Sequence, residues 1–232
     1  MARPYLINSC LMNEMALMRR AIALAERGRG MTFPNPCVGA VIARDGRIVG
    51  EGWHRFFGGP HAEVEAIQEA GGVRGATVVV TLEPCSHWGK TPPCADFLVR
   101  SGVREVVAAI TDPLPQIRGR GFGKLRRGGV RVRLWKDGPL TEQAQDVARP
   151  YLTWLQRQRP FVILKSAVSL DGKIATSGGE SKWITSDAAR AYARNLRAGV
   201  DAVMVGIGTV LADDPSLLAP ADAPRQPARV IV

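Results

Sequence analysis

A histidine and a glutamate stand two positions apart in the segment "GGPHAEVEAI", residues 58–67. One His-x-Glu pair is a weak signal, because a helix-capping acid beside a surface histidine gives the same letters. Two cysteines follow in "TLEPCSHWGKTPPC", residues 81–94. Zinc in a catalytic site takes three protein ligands and keeps a fourth position for water, and one imidazole with two thiolates is a recognised set. We therefore predict that His61, Cys85 and Cys94 bind zinc.

Glu63 is predicted to lie on the first turn of the helix that begins near His61, so its carboxylate can reach a water in the open position without binding the metal. The order His-x-Glu, then Glu-Pro-Cys, then a further Cys is the signature of zinc deaminases, in which this glutamate is the general acid and base. The chain departs from the usual Cys-x-x-Cys spacing, because eight residues separate Cys85 from Cys94. Each cysteine stands near a proline at a predicted strand-to-helix junction, where a helix N-terminus favours the thiolate.

Composition places the chain among ordinary globular proteins, with 232 residues, 46% apolar and 22% charged. No apolar run is long enough to cross a membrane, and charged residues interrupt the apolar pattern of the first thirty or so positions, which argues against a signal peptide. We expect a cytoplasmic protein. The four cysteines, at 10, 37, 85 and 94, are too scattered for a disulfide framework.

Basic residues outnumber acidic ones, 31 to 21, giving a net charge of +10. Such an excess attracts phosphates, whether in nucleic acid or on a small substrate. Its densest stretch is "RGRGFGKLRRGGVRVR", residues 118–133. A solvated helix and strand edge is favoured over a polyanion groove there, because no aromatic residue beyond Phe122 alternates with the charges.

Hydrophobic periodicity predicts an α/β domain in the first two thirds of the chain. Apolar positions at helical spacing, starting with Leu11, predict a helix over 11–28, and "VGAVIARDGRIVGEGW" predicts two strands joined by a turn at Asp45-Gly46. The remaining predicted elements are helices from 61 to 71, 92–102, 119–128 and 141–157, and strands 75–82, 104–110 and 130–135. Strands that alternate with helices imply a sheet covered on both faces.

A second α/β pattern begins after Pro160 and is unfinished at Val232. Strands are predicted at 161–168, 201–206 and 228–232, and a helix at 185–198. We therefore divide the chain into a zinc-dependent deaminase domain (1–147), a linker or helix end (148–160) and an incomplete reductase domain (161–232). The reductase assignment rests on a resemblance to a known family.

Several segments resemble the bifunctional deaminase/reductase family of riboflavin biosynthesis. They are "PNPCVGAVI", "GEGWH", "GGPHAE" and above all "TLEPCSHWGKTPPCAD", since that family carries SHxGxTPP between the two cysteines. The later "SLDGKIA", "GESKWIT" and "LRAGVDAVMVGIGTVLADDP" resemble the start of its reductase domain. The resemblance covers nearly the whole chain. It implies a cytidine-deaminase-like three-layer domain followed by the N-terminal part of a dihydrofolate-reductase-like domain.

The resemblance implies a hydrolytic deamination of 2,5-diamino-6-ribosylamino-4(3H)-pyrimidinone 5′-phosphate. A ring amine is replaced by a carbonyl, ammonia is released, and Glu63 carries the protons. Asn35, in the PNP segment, is expected to bind the pyrimidine edge. His87 and Lys90, in the loop between the cysteines, are candidates for contacts to the sugar phosphate, with a solvated loop as the alternative.

The family's reductase uses NADPH to convert the ribosyl group to ribityl. The positions carried over to this chain are Ser181, Arg197 and Leu217 for the substrate, and Val168, Trp183, Thr209 and Asp213 for the dinucleotide. Trp183 as a core residue and Asp213-Asp214-Pro215 as a simple turn are the alternatives.

The sequence departs from the family pattern at several positions. Pro220 stands where the family has an arginine for the substrate phosphate, Leu114 replaces an Asn in "DPLP", and "ARPYL" replaces Leu-Asn-x-x-Phe near 148–152. The sequence also stops before the Gly-rich dinucleotide segment. We therefore expect an incomplete reductase. Leu114 and the "ARPYL" segment lie outside the zinc ligands, so we expect them to affect substrate fit and domain packing.

Two other functions fit part of the pattern. A nucleic-acid (tRNA) base deaminase would suit the positive charge, but lacks the long loop between the cysteines and the reductase-like segment. A non-catalytic zinc module that binds RNA would need a fourth ligand, for which only Cys37 or His87 is at hand. The favoured partner is a phosphorylated pyrimidine, with no membrane and no nucleic acid, and an exposed apolar strand in the second unit favours a homodimer.

Overall fold

The structure is a computed structural model that describes residues 9–136 and 138–232, with side chains described from residue 14 onward. The predicted helical position at Leu11 and the thiol of Cys10 therefore lie outside the described side chains. The chain divides into two compact units, Met1–Phe161 and Val162–Val232. Among the described helices, none is long and apolar enough to cross a membrane.

The first unit alternates helices and strands. In chain order its elements are α1 (Ser9–Glu26), β1 (Gly39–Arg44), β2 (Arg47–Trp53), α2 (Ala62–Ala70), β3 (Thr77–Leu82), α3 (Cys94–Arg100), β4 (Glu105–Ile110), α4 (Arg120–Arg127), β5 (Arg131–Leu134) and α5 (Gly138–Arg157). These match the elements predicted from periodicity, with ends that differ by a few residues.

The strands form one mixed sheet in the order β2-β1-β3-β4-β5. β1 is antiparallel to both β2 and β3, whereas β3, β4 and β5 run parallel. The β1–β2 turn has positive φ at Asp45 (52°) and Gly46 (73°), the geometry that two-residue hairpins favour. Because β2 also runs parallel to β3, the carboxyl ends of β2, β3 and β4 lie along the same edge of the sheet.

Helices cover both faces of this sheet, which confirms the predicted three-layer arrangement. One face packs α1 and α5 against alternate strand residues such as Val41, Val79 and Val107. The other face packs α2, α3 and α4 against the intervening residues, such as Val78 and Val106. The period of two along each strand sends neighbouring side chains to opposite cores, so both faces are apolar.

Glycines on β2 allow α2 to lie directly on the sheet. A Cβ at Gly52 would lie 2.4 Å from the carbonyl oxygen of Ala62 and 2.5 Å from the backbone nitrogen of Ala66. A Cβ at Gly50 would lie 2.2 Å from the carbonyl oxygen of Ala66. Only residues without a side chain permit this approach, which fixes the N-terminus of α2 at the carboxyl edge of the sheet.

The second unit contains α6 (Asp187–Ala198), β6 (Ala202–Val205), α7 (Ile207–Asp213) and β7 (Ala228–Ile231), with β6 and β7 parallel. The strand predicted at 161–168 is wrong. Among the described residues no neighbouring strand pairs with this segment, and Leu164 is 92% exposed. An apolar run needs a hydrogen-bonded neighbour to become a strand. The short helix α7 was not predicted.

Candidate active site

A cavity of about 220 Å³ opens at the carboxyl edge of the sheet in the first unit. Residues that follow β2, β3 and β4 reach it, together with the N-terminus of α2 and the loop between the two cysteines. Its polar lining comprises Asn35, His54, His61, Glu63, Glu83, Cys85, His87, Lys90, Thr91, Asp112 and Tyr151.

The three predicted zinc ligands meet at this cavity. His61 Nδ1 lies 3.6 Å from Cys85 Sγ and 3.3 Å from Cys94 Sγ, and the three ligand atoms all fall within 4.8 Å of one another. Tetrahedral zinc, with Zn–S near 2.3 Å and Zn–N near 2.0–2.1 Å, places nitrogen and sulfur about 3.6 Å apart. The donor types and their spacing therefore fit zinc. Among the described residues, this is the cluster with metal-ligand chemistry.

Local structure brings the three ligands to this point. His61 is the N-cap of α2, and Cys94 is the first residue of α3, after Pro93. Cys85 lies three residues beyond the end of β3, where its sulfur accepts a hydrogen bond from the Cys94 backbone N–H at 3.3 Å. Two helix N-termini thus face the cluster, and their partial positive charge suits thiolate ligands.

The Cys85 thiol is already biased towards ionisation, whereas the Cys94 thiol is not. Hydrogen bonds from the Cys94 thiol and from His61 lower the pKa of Cys85 to about 4, although burial works against them. The pKa of Cys94 is raised by its hydrogen bond to Cys85 and by burial. One thiolate therefore forms readily, and a divalent cation would supply the charge that ionises the second.

Thr91 fixes the orientation of the His61 ring. Because Nδ1 faces the two sulfurs, Nε2 carries the proton, and it donates to Thr91 Oγ1 at 3.3 Å. A hydrogen bond of this kind on the far nitrogen is the usual second partner of a metal-bound histidine.

Glu63 is buried on the first turn of α2, with 3% of its surface exposed, and it lines the cavity beside His61 and Cys85. Burial raises the pKa of its carboxyl above the ordinary value, although the charge of His61 opposes the shift. A raised pKa makes the carboxylate a better proton acceptor, which suits general acid and base chemistry.

Asn35 lies on the cavity wall and is held by His54. His54 Nδ1–H donates to the Pro60 carbonyl oxygen at 2.9 Å, so its Nε2 accepts from the Asn35 amide at 3.0 Å. Burial lowers the pKa of His54 and keeps the ring neutral, as this arrangement requires. With its N–H group engaged, Asn35 retains Oδ1 as an acceptor for a ligand.

His87 and Lys90 line the same cavity from the loop between the cysteines. Lys90 Nζ lies 3.9 Å from the centre of the Phe57 ring, a cation–π contact that keeps the ammonium at the cavity mouth. His87 also lines a larger open groove of about 580 Å³, whose other side chains include Arg118, Arg120 and Lys124.

The basic segment 118–133 forms α4 and β5. α4 buries Phe122 and Leu125 against the sheet and leaves its arginines at the surface. Lys124 pairs with Asp96 at 2.6 Å. The surface of this segment is therefore a charged helix face around an open groove.

Glu83 anchors the loop beneath the cavity. Its Oε1 accepts from the backbone N–H groups of Gly121 (3.0 Å) and Phe122 (3.3 Å), and its Oε2 from those of Gly119 (3.0 Å) and Asp112 (3.3 Å). The carboxylate thus satisfies the N-terminus of α4, which would otherwise be left with unpaired donors. The glutamate of the "LEPC" motif is accordingly a structural anchor.

Asp112 and Tyr151 form a buried pair on the opposite wall. The Tyr151 hydroxyl donates to the Asp112 carboxylate, 3.0 Å from Oδ2 and 3.2 Å from Oδ1. The Leu114 backbone N–H donates to Oδ1 at 2.8 Å. Leu114 and Tyr151 both belong to segments that depart from the family pattern, and both line the cavity.

Sequence reasoning missed His54, Thr91, Asp112 and Tyr151. His54 is the first residue after β2 and Asp112 the second after β4, and polar residues after strands at one carboxyl edge are a usable signal. Tyr151 carries no such signal, because it lies 39 residues from Asp112 and meets it only in the fold.

Cys37 lies outside the ligand cluster. Its thiol contacts the Thr32 hydroxyl at 3.4 Å, and burial raises its pKa. Neither Cys37 nor His87 joins the three ligands among the described residues, so the cluster keeps an open side towards the cavity.

In the second unit, part of the predicted substrate set lies together. Arg197 Nη1 donates to the Leu218 carbonyl oxygen at 2.9 Å, which brings it beside Leu217, a residue in the left-handed conformation with φ 57°. Ser181, directly before Lys182 in the chain, is half-buried.

The four dinucleotide candidates, Val168, Trp183, Thr209 and Asp213, are all exposed. Lys182 Nζ lies 3.8 Å from Asp213 Oδ1, and Arg190 stacks 4.2 Å from the centre of the Trp183 ring. Trp183, 71% exposed, is therefore a surface residue and not part of a core. Within the described residues, these four side chains do not enclose a dinucleotide.

Two family models match the chain. The cytidine and deoxycytidylate deaminase zinc-binding region matches residues 12–110, and the RibD C-terminal domain matches residues 160–232. The first match contains His61, Glu63, Cys85 and Cys94.

Relatives and solved structures match along nearly the whole chain. It is 46% identical to the riboflavin biosynthesis protein RibD of Aquifex aeolicus and 49% identical to that of Bacillus amyloliquefaciens, covering 93% of the chain in both cases but 60% and 58% of those proteins. The structure superposes on the Thermotoga maritima diaminohydroxyphosphoribosylaminopyrimidine deaminase/5-amino-6-(5-phosphoribosylamino)uracil reductase with a TM-score of 0.86, 47% identity, and coverage of 95% of this chain and 63% of that one. Acinetobacter baumannii RibD gives a TM-score of 0.83 and 44% identity, with coverage of 95% and 63%. The chain therefore spans about three fifths of the length of these relatives.

Proposed function

The chain is homologous to the RibD proteins of riboflavin biosynthesis, and from this relationship we propose that its first unit is a zinc-dependent hydrolytic deaminase. Its substrate is 2,5-diamino-6-ribosylamino-4(3H)-pyrimidinone 5′-phosphate, and ammonia is released. The observation that carries the proposal is the cavity lined by His61, Cys85 and the buried carboxylate of Glu63, with Cys94 completing the ligand cluster beside it.

His61, Cys85 and Cys94 would hold the metal, which as a Lewis acid lowers the pKa of water from about 15.7 towards 7. Glu63 would take one proton from the attacking water and pass it to a ring nitrogen. It would then take a second proton from the hydroxyl added to the ring carbon and pass it to the amine, which leaves as ammonia. Its position on the first turn of α2 and its raised pKa support this role, since the group must both accept and release a proton.

Substrate binding is assigned to Asn35, His87 and Lys90. The Asn35 amide, held by His54, offers an acceptor to the pyrimidine edge. Lys90 brings a positive charge and His87 brings a ring N–H donor, and both suit a sugar phosphate in the cavity that they line.

For the second unit we propose descent from an NADPH-dependent reductase. Ser181, Arg197 and Leu217 are the substrate candidates, and Val168, Trp183, Thr209 and Asp213 are the cofactor candidates. The contact between Arg197 and the Leu218 carbonyl supports the substrate set. The cofactor candidates are exposed in the described part of the chain, and the proposal for this unit rests on the match to the RibD C-terminal domain over residues 160–232.

The other candidate functions receive less support. Structural zinc sites are closed by four protein ligands, whereas this cluster has three and faces a cavity. A tRNA deaminase does not explain the match to the RibD C-terminal domain over residues 160–232.

The protein is further proposed to act in the cytoplasm as a homodimer. A phosphorylated substrate does not cross membranes unaided, which supports a reaction inside the cell. Exposed apolar side chains of the second unit, such as Leu170 and Leu211, support self-association. Sedimentation velocity over a range of concentrations measures it, and a strictly monomeric species at high concentration would contradict it.

The decisive experiment measures zinc content and ammonia release from the diaminopyrimidine phosphate in the wild type and in Glu63→Gln. The wild type is expected to bind one zinc per chain and to release ammonia. The variant should keep its zinc and lose about 10²- to 10⁴-fold in kcat, because the amide cannot take up the proton.

Glu69→Gln is the matched control. Glu69 lies on the last turn of the same helix, where its carboxylate accepts from the Glu51 backbone, and its variant should keep full activity. Near wild-type turnover by Glu63→Gln would refute the proton-transfer role. If the protein deaminated an adenosine-containing tRNA but did not deaminate the pyrimidine phosphate, the nucleic-acid deaminase would be favoured instead.

A further inference from the structure

Asp112 is a buried carboxylate on the wall of the deaminase cavity, with 2% of its surface exposed. It follows β4 at the edge of the sheet where β2 and β3 also end. No part of the proton transfer assigned to Glu63 uses it, and it is not one of the clustered metal ligands.

The hydrogen bonds of Asp112 leave acceptor capacity unused. A carboxylate has about four lone-pair sites. Within the described part of the chain, the groups that donate to it are the Leu114 backbone N–H and the single hydroxyl proton of Tyr151. No arginine, lysine or histidine forms an ion pair with it there. A buried carboxylate without a cation is costly unless further donors reach it.

Tyr151 holds this carboxylate against the cavity. It comes from α5, on the opposite face of the sheet from α2, and its own hydroxyl is buried. Burial and the nearby Asp112 raise the pKa of Tyr151, so the phenol stays protonated and remains a donor. The hydroxyl lies within 3.2 Å of both carboxylate oxygens, which restricts rotation of the Asp112 side chain.

We propose that Asp112 recognises the substrate by accepting hydrogen bonds from its N–H or O–H donors, and that Tyr151 is a positioning residue that holds Asp112 for this contact. The inference rests on the proposed deaminase function and adds a recognition element to the same site. The substrate offers two kinds of donor: the exocyclic amines of the ring that do not leave, and the hydroxyls of its ribosyl group. A purely structural tether between α5 and the loop after β4 is the competing explanation.

The test measures substrate affinity by calorimetry in zinc-loaded Glu63→Gln protein, where turnover is suppressed. Asp112→Asn keeps the shape and the bonds from Leu114 and Tyr151 but removes the charge, and it should weaken binding about 10- to 100-fold, the range of a hydrogen bond to a charged acceptor. Tyr151→Phe should weaken binding about 3- to 10-fold. The double variant should bind no worse than Asp112→Asn alone, because Tyr151 acts through Asp112.

Two substitutions elsewhere in the chain serve as matched controls. Asp45→Asn changes an acid in the exposed β1–β2 turn, and Tyr192→Phe changes an exposed phenol on α6. Both should bind substrate as tightly as the parent protein. Substrate analogues lacking the 5-amino group or the ribosyl 2′-hydroxyl identify the donor, because the effect of Asp112→Asn disappears for the analogue without it.

Three outcomes separate the two levels of the proposal. If wild-type protein releases no ammonia, the deaminase assignment is refuted, and the inference that rests on it is refuted as well. If the wild type is active but neither variant changes affinity, while thermal unfolding shifts, the tether explanation holds and the recognition role is refuted. If Asp112→Asn does not fold, Tyr151→Phe decides alone: unchanged affinity refutes the inference, and weaker affinity at unchanged zinc content supports it.

Discussion

The His61 ring shows how one side chain satisfies two neighbours at once. Its Nδ1 faces the sulfurs of Cys85 and Cys94, and its Nε2 donates to Thr91. Thr91 belongs to the "KTPPC" end of the loop between the cysteines, so this loop supplies both a ligand and the group that orients another ligand. The long loop between the cysteines therefore contributes to the metal site through Thr91.

Thr91→Val is expected to weaken zinc binding. The substitution keeps the shape but removes the acceptor of the Nε2 proton, and loss of such an outer partner typically costs about 10- to 100-fold in metal affinity. Competition with a chromogenic chelator measures the change. Thr91→Ser, which keeps the hydroxyl, should restore tight binding. Equal affinity in Thr91→Val and the wild type would show that the His61 ring is held by other contacts.

Residue chemistry explains why part of the site could be predicted without a structure. Few side chains bind zinc, so His61, Cys85 and Cys94 stand out by type and spacing, and Glu63 by its distance of two from the histidine. Asp112 and Tyr151 are common residue types, and of the two only Asp112 carries a sequence signal, its place after a predicted strand. Their contact depends on α5 returning to the edge of the sheet, which local sequence does not encode.

At the scale of elements, the position of α2 decides where His61 and Glu63 lie. The helix rests on β2 because Gly50 and Gly52 have no side chains to hold it away. Its C-terminus at Gly71 is left-handed, with φ 63°, which ends the helix before β3. The positions of the candidate residues His61 and Glu63 therefore depend on two glycines of β2.

Gly52→Ala should destabilise the protein and weaken zinc binding together. The added Cβ would lie 2.4 Å from a backbone oxygen of α2, so the helix must move away from the sheet. Overpacking of this kind costs about 1–3 kcal/mol in the free energy of unfolding. Urea unfolding and a zinc titration measure the two effects.

Gly72→Ala is the control for this substitution. A Cβ at Gly72 meets nothing within 4 Å, and its φ is not in the left-handed region. Its urea midpoint should match the wild type. A wild-type midpoint for Gly52→Ala as well would mean that α2 adjusts without cost and that the close approach does not fix the site.

The periodicity of the sequence predicted the elements of the first unit because its central strands β1, β3 and β4 are buried on both faces between helices. The segment 161–168 has a similar apolar content, yet it forms no strand among the described residues. Periodicity reports which side chains avoid water, but it does not report whether a neighbouring strand is available for pairing. The prediction was therefore wrong where pairing, and not burial, decides the structure.

At the scale of the whole molecule, all three proposed zinc ligands belong to the first unit, and α6, β6, α7 and β7 contribute none. The ligands come from the start of α2, the loop after β3 and the start of α3. Zinc would thus join segments up to 33 residues apart in the chain. A metal that binds only the folded state stabilises it by mass action.

Chelation of zinc is expected to lower the stability of the first unit. At free zinc about a thousand-fold above Kd the stabilisation is about 4 kcal/mol, and a chelator removes it. Hydrogen exchange measured by mass spectrometry should show α2 and the loop before α3 losing protection, with peptides from β6 and β7 as an internal reference.

Cys94→Ala should abolish the chelator effect. Cys37→Ala should retain it, because the Cys37 thiol contacts Thr32 and lies outside the ligand cluster. Exchange that is unchanged by chelation would mean that these segments are held without metal, and the open zinc site would lose its main physical support.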